Sequence, residues 1–291
     1  MVQVRSLRNR YVATLPVEDL SVDVAPGSVT ACPGAERRGQ VNLGGVRAVI
    51  QLENVTCRFG DPVRGVLALS DVSLEIMSAS FVAVMGATGS GKSTLLNCAS
   101  ALERPTSGAV RLLGNNVAKM SESEVSRVRR SHVGFVFQSY NLFSELTVSQ
   151  NVLMPTRLGA RRARTVCDVL DAVGLGGAEQ RTVGGLSGGQ RQRVAVARAL
   201  VTAPSVIFAD EPTGALDPAS GAQILTLLRR AVDEQGCTVV MVTHDPLAAA
   251  FSDRLVLLRT GEIVDDRQTP DASSIGEQLR QVSTTPAPVA S

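Results

Sequence analysis

FVAVMGATGSGKSTLL, residues 81–96, joins an apolar pentapeptide to a glycine-rich loop and then to the start of a helix. Phe81–Met85 carries no polar side chain, the composition of a strand buried on both faces of a sheet. Gly86, Ala87, Thr88, Gly89, Ser90, Gly91, Lys92, Ser93 and Thr94 follow at once, and Leu95 and Leu96 open the helix. Strand, loop and helix in this order is the setting in which such a loop cradles a phosphate chain. The glycines let backbone N–H groups turn inward and approach phosphate oxygens without a Cβ in the way. The positive end of the helix dipole points at the same spot. Lys92 can reach β- and γ-phosphates, and the Ser93 hydroxyl is placed to ligate Mg2+. A Gly/Ser loop that merely caps a helix is the competing reading, and the two flanks argue against it. The class of nucleotide-binding protein stays open at this point.

Outward from this stretch the chain alternates. Residues 49–59, 72–76, 109–113, 133–137, 205–209, 238–242 and 254–258 have strand character. Residues 121–130, 161–173, 190–201 and 219–234 have helical character. In the last of these Ile224, Leu228, Ala231 and Val232 mark one apolar face, and the second half of 190–201 is apolar almost all round, which argues for burial. Strands alternating with helices predict an α/β core with a largely parallel sheet. Residues 1–47, interrupted by Pro16, Pro26 and Pro33, read as an extension without regular pattern. Residues 268–291 read as a loose tail, with a short helix near 277–282.

The strand at 205–209 ends in Asp210 and Glu211. Asp210 fits the acidic residue that holds Mg2+ in phosphate-loop enzymes. A second carboxylate beside a metal site costs repulsion, so Glu211 needs a use; orienting and deprotonating an attacking water is one. A solvated acidic turn before Pro212 and Gly214 is the plain alternative. Residues 186–190 read LSGGQ, followed by RQRVAVARAL: Ser187 as a cap, Gly188 and Gly189 with open N–H groups, then a buried helix. One chain thus carries two anion-cradling helix starts and a single lysine-bearing loop.

LSGGQ resembles the signature motif of ABC (ATP-binding cassette) ATPases. Five further elements match in the order of that family: GATGSGKST, Gln138 after VGFVF, VIFADE at 206–211, ALD at 215–217, and His244 after TVVMVT. The resemblance covers roughly residues 49–265. It implies a P-loop NTPase of ABC type: a mostly parallel central sheet, an antiparallel β subdomain and a helical signature subdomain at about 139–190, together forming an ATP-binding domain over residues 48–267. It also implies roles. Gln138 would contribute to Mg2+ and the attacking water and sense a membrane partner. His244 would hold the γ-phosphate and Glu211 in position, and Asp217 would act across a subunit interface. Ser187, Gly188, Gly189 and Gln190 would close on the ATP held by the opposite copy of a homodimer. The aromatic that stacks on adenine in this family is typically Tyr; here the matching residue is Phe59, which keeps the π-face, worth about 1–3 kcal/mol by analogy with other base stacking, and loses the hydroxyl.

The interval from Lys92 to Ser187 holds a compact helical subdomain but no long coiled coil, so the DNA-repair and chromosome branches of the family do not fit. LERPTSG (102–108), FVFQSYNLFSELTVSQNV (135–152) and ADEPTGALD (209–217) are similar to the macrolide-exporter and lipoprotein-release branch. That likeness implies an ATPase powering a separate permease of efflux or extraction type, or alternatively a regulator of an extracytoplasmic process such as cell division. The permease would dock near residues 138–146, where Leu142, Phe143 and Leu146 suit a groove for a partner helix; a packed internal loop is the alternative.

Composition agrees with a soluble enzyme. Of 291 residues 44% are hydrophobic and 19% charged, and 29 basic against 27 acidic side chains give a net charge of +2, no footprint of a nucleic-acid binder. No apolar run reaches the ~20 residues that span a bilayer, and the first twenty residues do not form a secretory signal. The expected location is the cytoplasmic face of a membrane, held there by the permease. Five scattered cysteines, none in a C-x-x-C pair, read as small core residues of a reducing compartment.

Overall fold

Phe81–Met85 is a strand with all five residues buried, and its alternation decides which layer each side chain joins. Phe81, Ala83 and Met85 face one apolar cluster; Val82 and Val84 face another on the opposite side of the sheet. The computed structural model describes residues 48–61, 65–161, 163–269 and 274–275, so the readings for residues 1–47 and for the helix near 277–282 lie outside the described residues.

The strands are β1 (Ala48–Phe59), β2 (Val66–Met77), β3 (Phe81–Met85), β4 (Ser107–Leu112), β5 (Asn115–Asn116), β6 (Val133–Phe137), β7 (Val206–Asp210), β8 (Thr238–Thr243), β9 (Arg254–Arg259) and β10 (Glu262–Gln268). The helices are α1 (Lys92–Ala99), α2 (Glu122–His132), α3 (Val148–Val152), α4 (Met154–Arg157), α5 (Val166–Ala172), α6 (Gly188–Leu200), α7 (Pro218–Asp233) and α8 (Pro246–Ala249). One sheet has the order β2-β1-β4-β5, with antiparallel pairings throughout. The other has the order β10-β9-β3-β8-β7-β6; its four pairings from β9 to β6 run parallel and β10 closes it antiparallel. This is the α/β arrangement with a mostly parallel sheet and an antiparallel partner sheet.

Register fixes what emerges where. Val84 lies level with Val242, Val242 with Asp210, and Asp210 with Phe137. The residues that follow each strand therefore gather along one carboxyl edge, where parallel α/β sheets bind their ligands.

The elements differ from the sequence reading at identifiable points. The helix expected over 161–173 begins at Val166, because Thr165 and Asp168 form a reciprocal capping box that starts it there. The strand expected over 72–76 extends back to Val66. β10 reads EIVDDRQ, an edge strand too charged to give an apolar signal. The assignment of a tail from residue 268 is overtaken at its start: Gln268 ends β10, and Ile275 is fully buried in the core. On α7 the residues Ile224, Leu228, Ala231 and Val232 are all buried. Cys57, Cys98 and Cys237 are free and buried, and burial pushes the Cys237 thiol up to about 12, so it packs as an inert apolar group. Among the described residues no helix is long and apolar enough to cross a membrane.

Candidate functional site

The loop after β3 is shaped by contacts that only glycine permits. A Cβ at Gly86 would stand 2.2 Å from the Leu258 carbonyl oxygen and 2.5 Å from Ser90 Oγ. Gly91, the N-cap of α1, has φ 101°, and a Cβ there would stand 2.3 Å from the Ala68 carbonyl oxygen. Ala87, Thr88 and Gly89 are exposed at the mouth, Ser93 is exposed and Thr94 half-buried in the first turn of α1. The Lys92 ammonium donates to the carbonyls of Gly86 and Ala87, both at 2.9 Å, which holds it over the loop with one N–H still to give. Burial lowers its pKa, and Glu211 and Asp210 pull the other way. Asp210 is raised by burial and by Glu211, with Lys92 opposing. The charge of Glu211 thus acts on both Lys92 and Asp210.

Glu211 sits where the backbone is strained, at φ 47°, a cost on the order of 1–3 kcal/mol for a non-glycine residue. Its N–H donates to the Val242 carbonyl at 2.9 Å, which fixes the turn against β8. The mostly buried carboxylate meets His244 Nδ1 at 2.8 Å, and the Thr243 hydroxyl donates to its other oxygen at 3.4 Å. The imidazole itself is largely open to solvent. Gln138, one residue past the level of Asp210, comes close to the same turn: a Cβ at Gly214 would lie 2.8 Å from its Nε2.

Phe59 ends β1, half-exposed, and pairs with Val66. Two residues further along β2, Ala68 abuts Gly91, so the ring stands about 7 Å along the strand from the phosphate loop's flank. The turn between β9 and β10 joins the two: Gly261 N–H donates to Ser90 O, and Ser70 N–H donates to Gly261 O, both at 2.9 Å.

The LSGGQ segment is the start of α6. Ser187 Oγ accepts from Gln190 N–H at 3.3 Å and Gln190 Oε1 accepts from Ser187 N–H at 3.1 Å, a reciprocal capping box. Gly188 and Gly189 have as neighbours the Tyr140 hydroxyl, Leu216 and Ser220, which belong to the segments after Gln138 and Glu211 and not to the phosphate loop. Asp217 caps α7, its Oδ1 accepting from Ser220 N–H at 3.0 Å, and this bonding lowers its pKa.

Two residues on α6 went unnoticed in the sequence. Gln192 is fully buried and donates from Nε2 to the carbonyls of Pro212 (2.6 Å) and Phe137 (3.3 Å), the neighbours of Glu211 and Gln138. Arg198 donates to the carbonyls of Tyr140, at 2.9 Å, and Asn141. Burial pushes its pKa down to about 10, so it stays charged at neutral pH. Gln192→Leu should leave the Pro212 carbonyl without this donor, while the Phe137 carbonyl keeps Tyr140 N–H, at a cost of about 1–3 kcal/mol read as a lower unfolding free energy in denaturant. A loss under about 0.5 kcal/mol, the scatter of surface substitutions, would contradict this strut.

The donors available for a metal are the Ser93 hydroxyl, the Asp210 carboxylate and the Gln138 amide oxygen, hard oxygens that suit Mg2+. No group of three or more His, Cys, Asp or Glu poised for a metal occurs among the described residues.

The sequence pattern of the ABC transporter family matches residues 69–214. The macrolide export ATP-binding/permease protein MacB of Neisseria gonorrhoeae is 44% identical over 243 residues, covering 81% of this chain and 38% of the relative. A MacB of Paracoccus denitrificans is 50% identical over 211 residues, covering 70% and 31%. The chain thus spans well under half the length of these relatives. An ATP-binding cassette solved as a dimer in a post-hydrolysis state with ADP and Pi superposes with a TM-score of 0.70 at 38% identity, covering 76% of this chain and 99% of that one. With the phosphate loop, the Asp210–Glu211 turn, His244 and the LSGGQ helix start set on this scaffold, the chain, which is similar to part of the MacB proteins, belongs to the ABC transporter family.

Proposed function

We propose that the chain is an ATPase subunit that binds ATP with Mg2+ between its own phosphate loop and residues 187–190 of a second copy, and powers a membrane permease of export type. The observation that carries this reading is the Glu211–His244 pair, 2.8 Å apart and one step beyond Asp210 on the edge where Lys92 lies. In this reading residues 48–267 form the ATP-binding domain and about 139–190 its helical subdomain.

The phosphate loop holds the triphosphate through its backbone N–H groups and Lys92, and Phe59 stacks on adenine. Ser93, Asp210 and Gln138 would hold Mg2+, which when bound neutralises charge on the β- and γ-phosphates. Glu211 orients and deprotonates the attacking water; His244 keeps the carboxylate turned toward it and contacts the γ-phosphate. Residues 187–190 offer a second anion-binding helix start, and Asp217 lies beside them across Ser220. Support for a closed pair comes from the solved neighbour, a dimer with ADP and Pi. Support for the permease comes from the relatives, named export ATP-binding/permease proteins. The partner would dock at residues 138–146, where Phe143 is half-exposed, and would hold the chain at the cytoplasmic face of its membrane.

If the catalytic unit is the dimer, the specific rate of ATP hydrolysis by the purified chain rises with protein concentration and vanishes when Mg2+ is chelated. A specific rate constant down to concentrations at which the chain sediments as a monomer would rule out the shared site.

A further inference from the structure

α6 presents Gly188, Arg191 and Arg198 along one stripe, at helical spacings of three and seven residues. All three meet the same residue, Tyr140. Arg198 donates to the Tyr140 carbonyl at 2.9 Å and to the next carbonyl, that of Asn141. The Arg191 guanidinium lies over the Tyr140 ring, 5.3 Å from its centroid. The Tyr140 hydroxyl lies 3.1 Å from where a Cβ on Gly188 would stand. The side chain is therefore laid lengthwise along the helix, its backbone end held by Arg198 and its polar end against the first residue of α6. Tyr140 and Asn141 are both left-handed, φ 63° and 48°, a conformation that a bulky residue such as Tyr keeps only when its surroundings hold it.

We infer that Tyr140 is a positioning residue: it sets residues 187–190 at the place needed to meet the nucleotide of a second copy. The inference rests on the shared-site reading above. A cleft of about 130 Å³ bounded by Ser139, Tyr140, Leu142, Val183 and Arg191 opens beside the ring. The phosphate loop makes none of these contacts, so a change at Tyr140 leaves nucleotide binding by the single copy intact.

The test uses the full chain carrying Glu211→Gln, which retains ATP, and measures two quantities: ATP affinity of the monomer and ATP-driven dimerisation by sedimentation. Tyr140→Leu removes the ring and hydroxyl; it should keep ATP affinity within about twofold and weaken dimerisation about tenfold or more. Tyr140→Phe keeps the ring on Arg191 and should recover most of the loss; a phenylalanine variant as weak as the leucine one overturns the role given to the ring. Dimerisation of the leucine variant equal to the parent overturns the inference. Should that variant not fold, Arg191→Gln decides in its place, with the same two outcomes. A parent that stays monomeric with ATP sinks the shared site and this inference together, whereas a dimerising parent with an unaffected leucine variant sinks the inference alone.

Discussion

Glu211→Gln lowers ATP turnover by about 10²–10⁴-fold, the range set by loss of a general base, while the ATP-bound dimer accumulates. The exchange conserves shape. The amide still fills the space beside His244 Nδ1 and the Thr243 hydroxyl, and the φ 47° backbone is unchanged, so folding and nucleotide binding persist. What is lost is the basic oxygen that takes a proton from water. Removal of a buried negative charge also relieves Asp210, whose pKa is raised in part by Glu211, so cation binding does not weaken. Phosphate release in a single-turnover experiment is the direct readout, with gel filtration for the trapped dimer. Turnover within severalfold of the parent would show that another group acts as base.

Lys92→Ala weakens ATP binding by roughly ten- to a hundredfold. A charged hydrogen bond to phosphate is worth about 1.5–3 kcal/mol, and 1.4 kcal/mol is tenfold in affinity. The ammonium already sits over the loop on the Gly86 and Ala87 carbonyls, so little reorganisation separates its resting place from a phosphate oxygen. Ala87 is exposed, so its carbonyl rehydrates when the lysine is gone, whereas the buried Gly86 loses a donor to its carbonyl and some stability goes with the affinity. Equilibrium titration with a fluorescent ATP analogue measures the loss. An affinity equal to that of the unaltered chain would remove the phosphate-loop reading at its base.

The carboxyl-edge cluster could be read from the chain because its members are placed by strong local patterns. Phe81–Met85 and Val206–Asp210 are apolar runs that can only be inner strands, and whatever follows an inner parallel strand emerges at that edge. The capping role of Ser187 was legible for the same reason, since a serine three residues before a glutamine is a local signal. Gln192, Arg198 and Tyr140 were not. Each acts by bonding or packing on backbone tens of residues away, and a carbonyl leaves no trace in sequence. Nor was β10, whose single apolar pair, Ile263 and Val264, is surrounded by charges that suit an edge. The helix over 161–173 was overextended because its leading arginines are good helix formers, while the Thr165–Asp168 box that actually begins it was available and overlooked.

The turn at Gly261 bonds at once to Ser90 beside the triphosphate cradle and to Ser70 on the strand that pairs toward Phe59. The hairpin of β9 and β10 thus ties the end of β1 to the glycine-rich loop. Under the proposed reading, the spacing between the base and phosphate sites is braced from the turn between β9 and β10, outside every stretch assigned to the ligand.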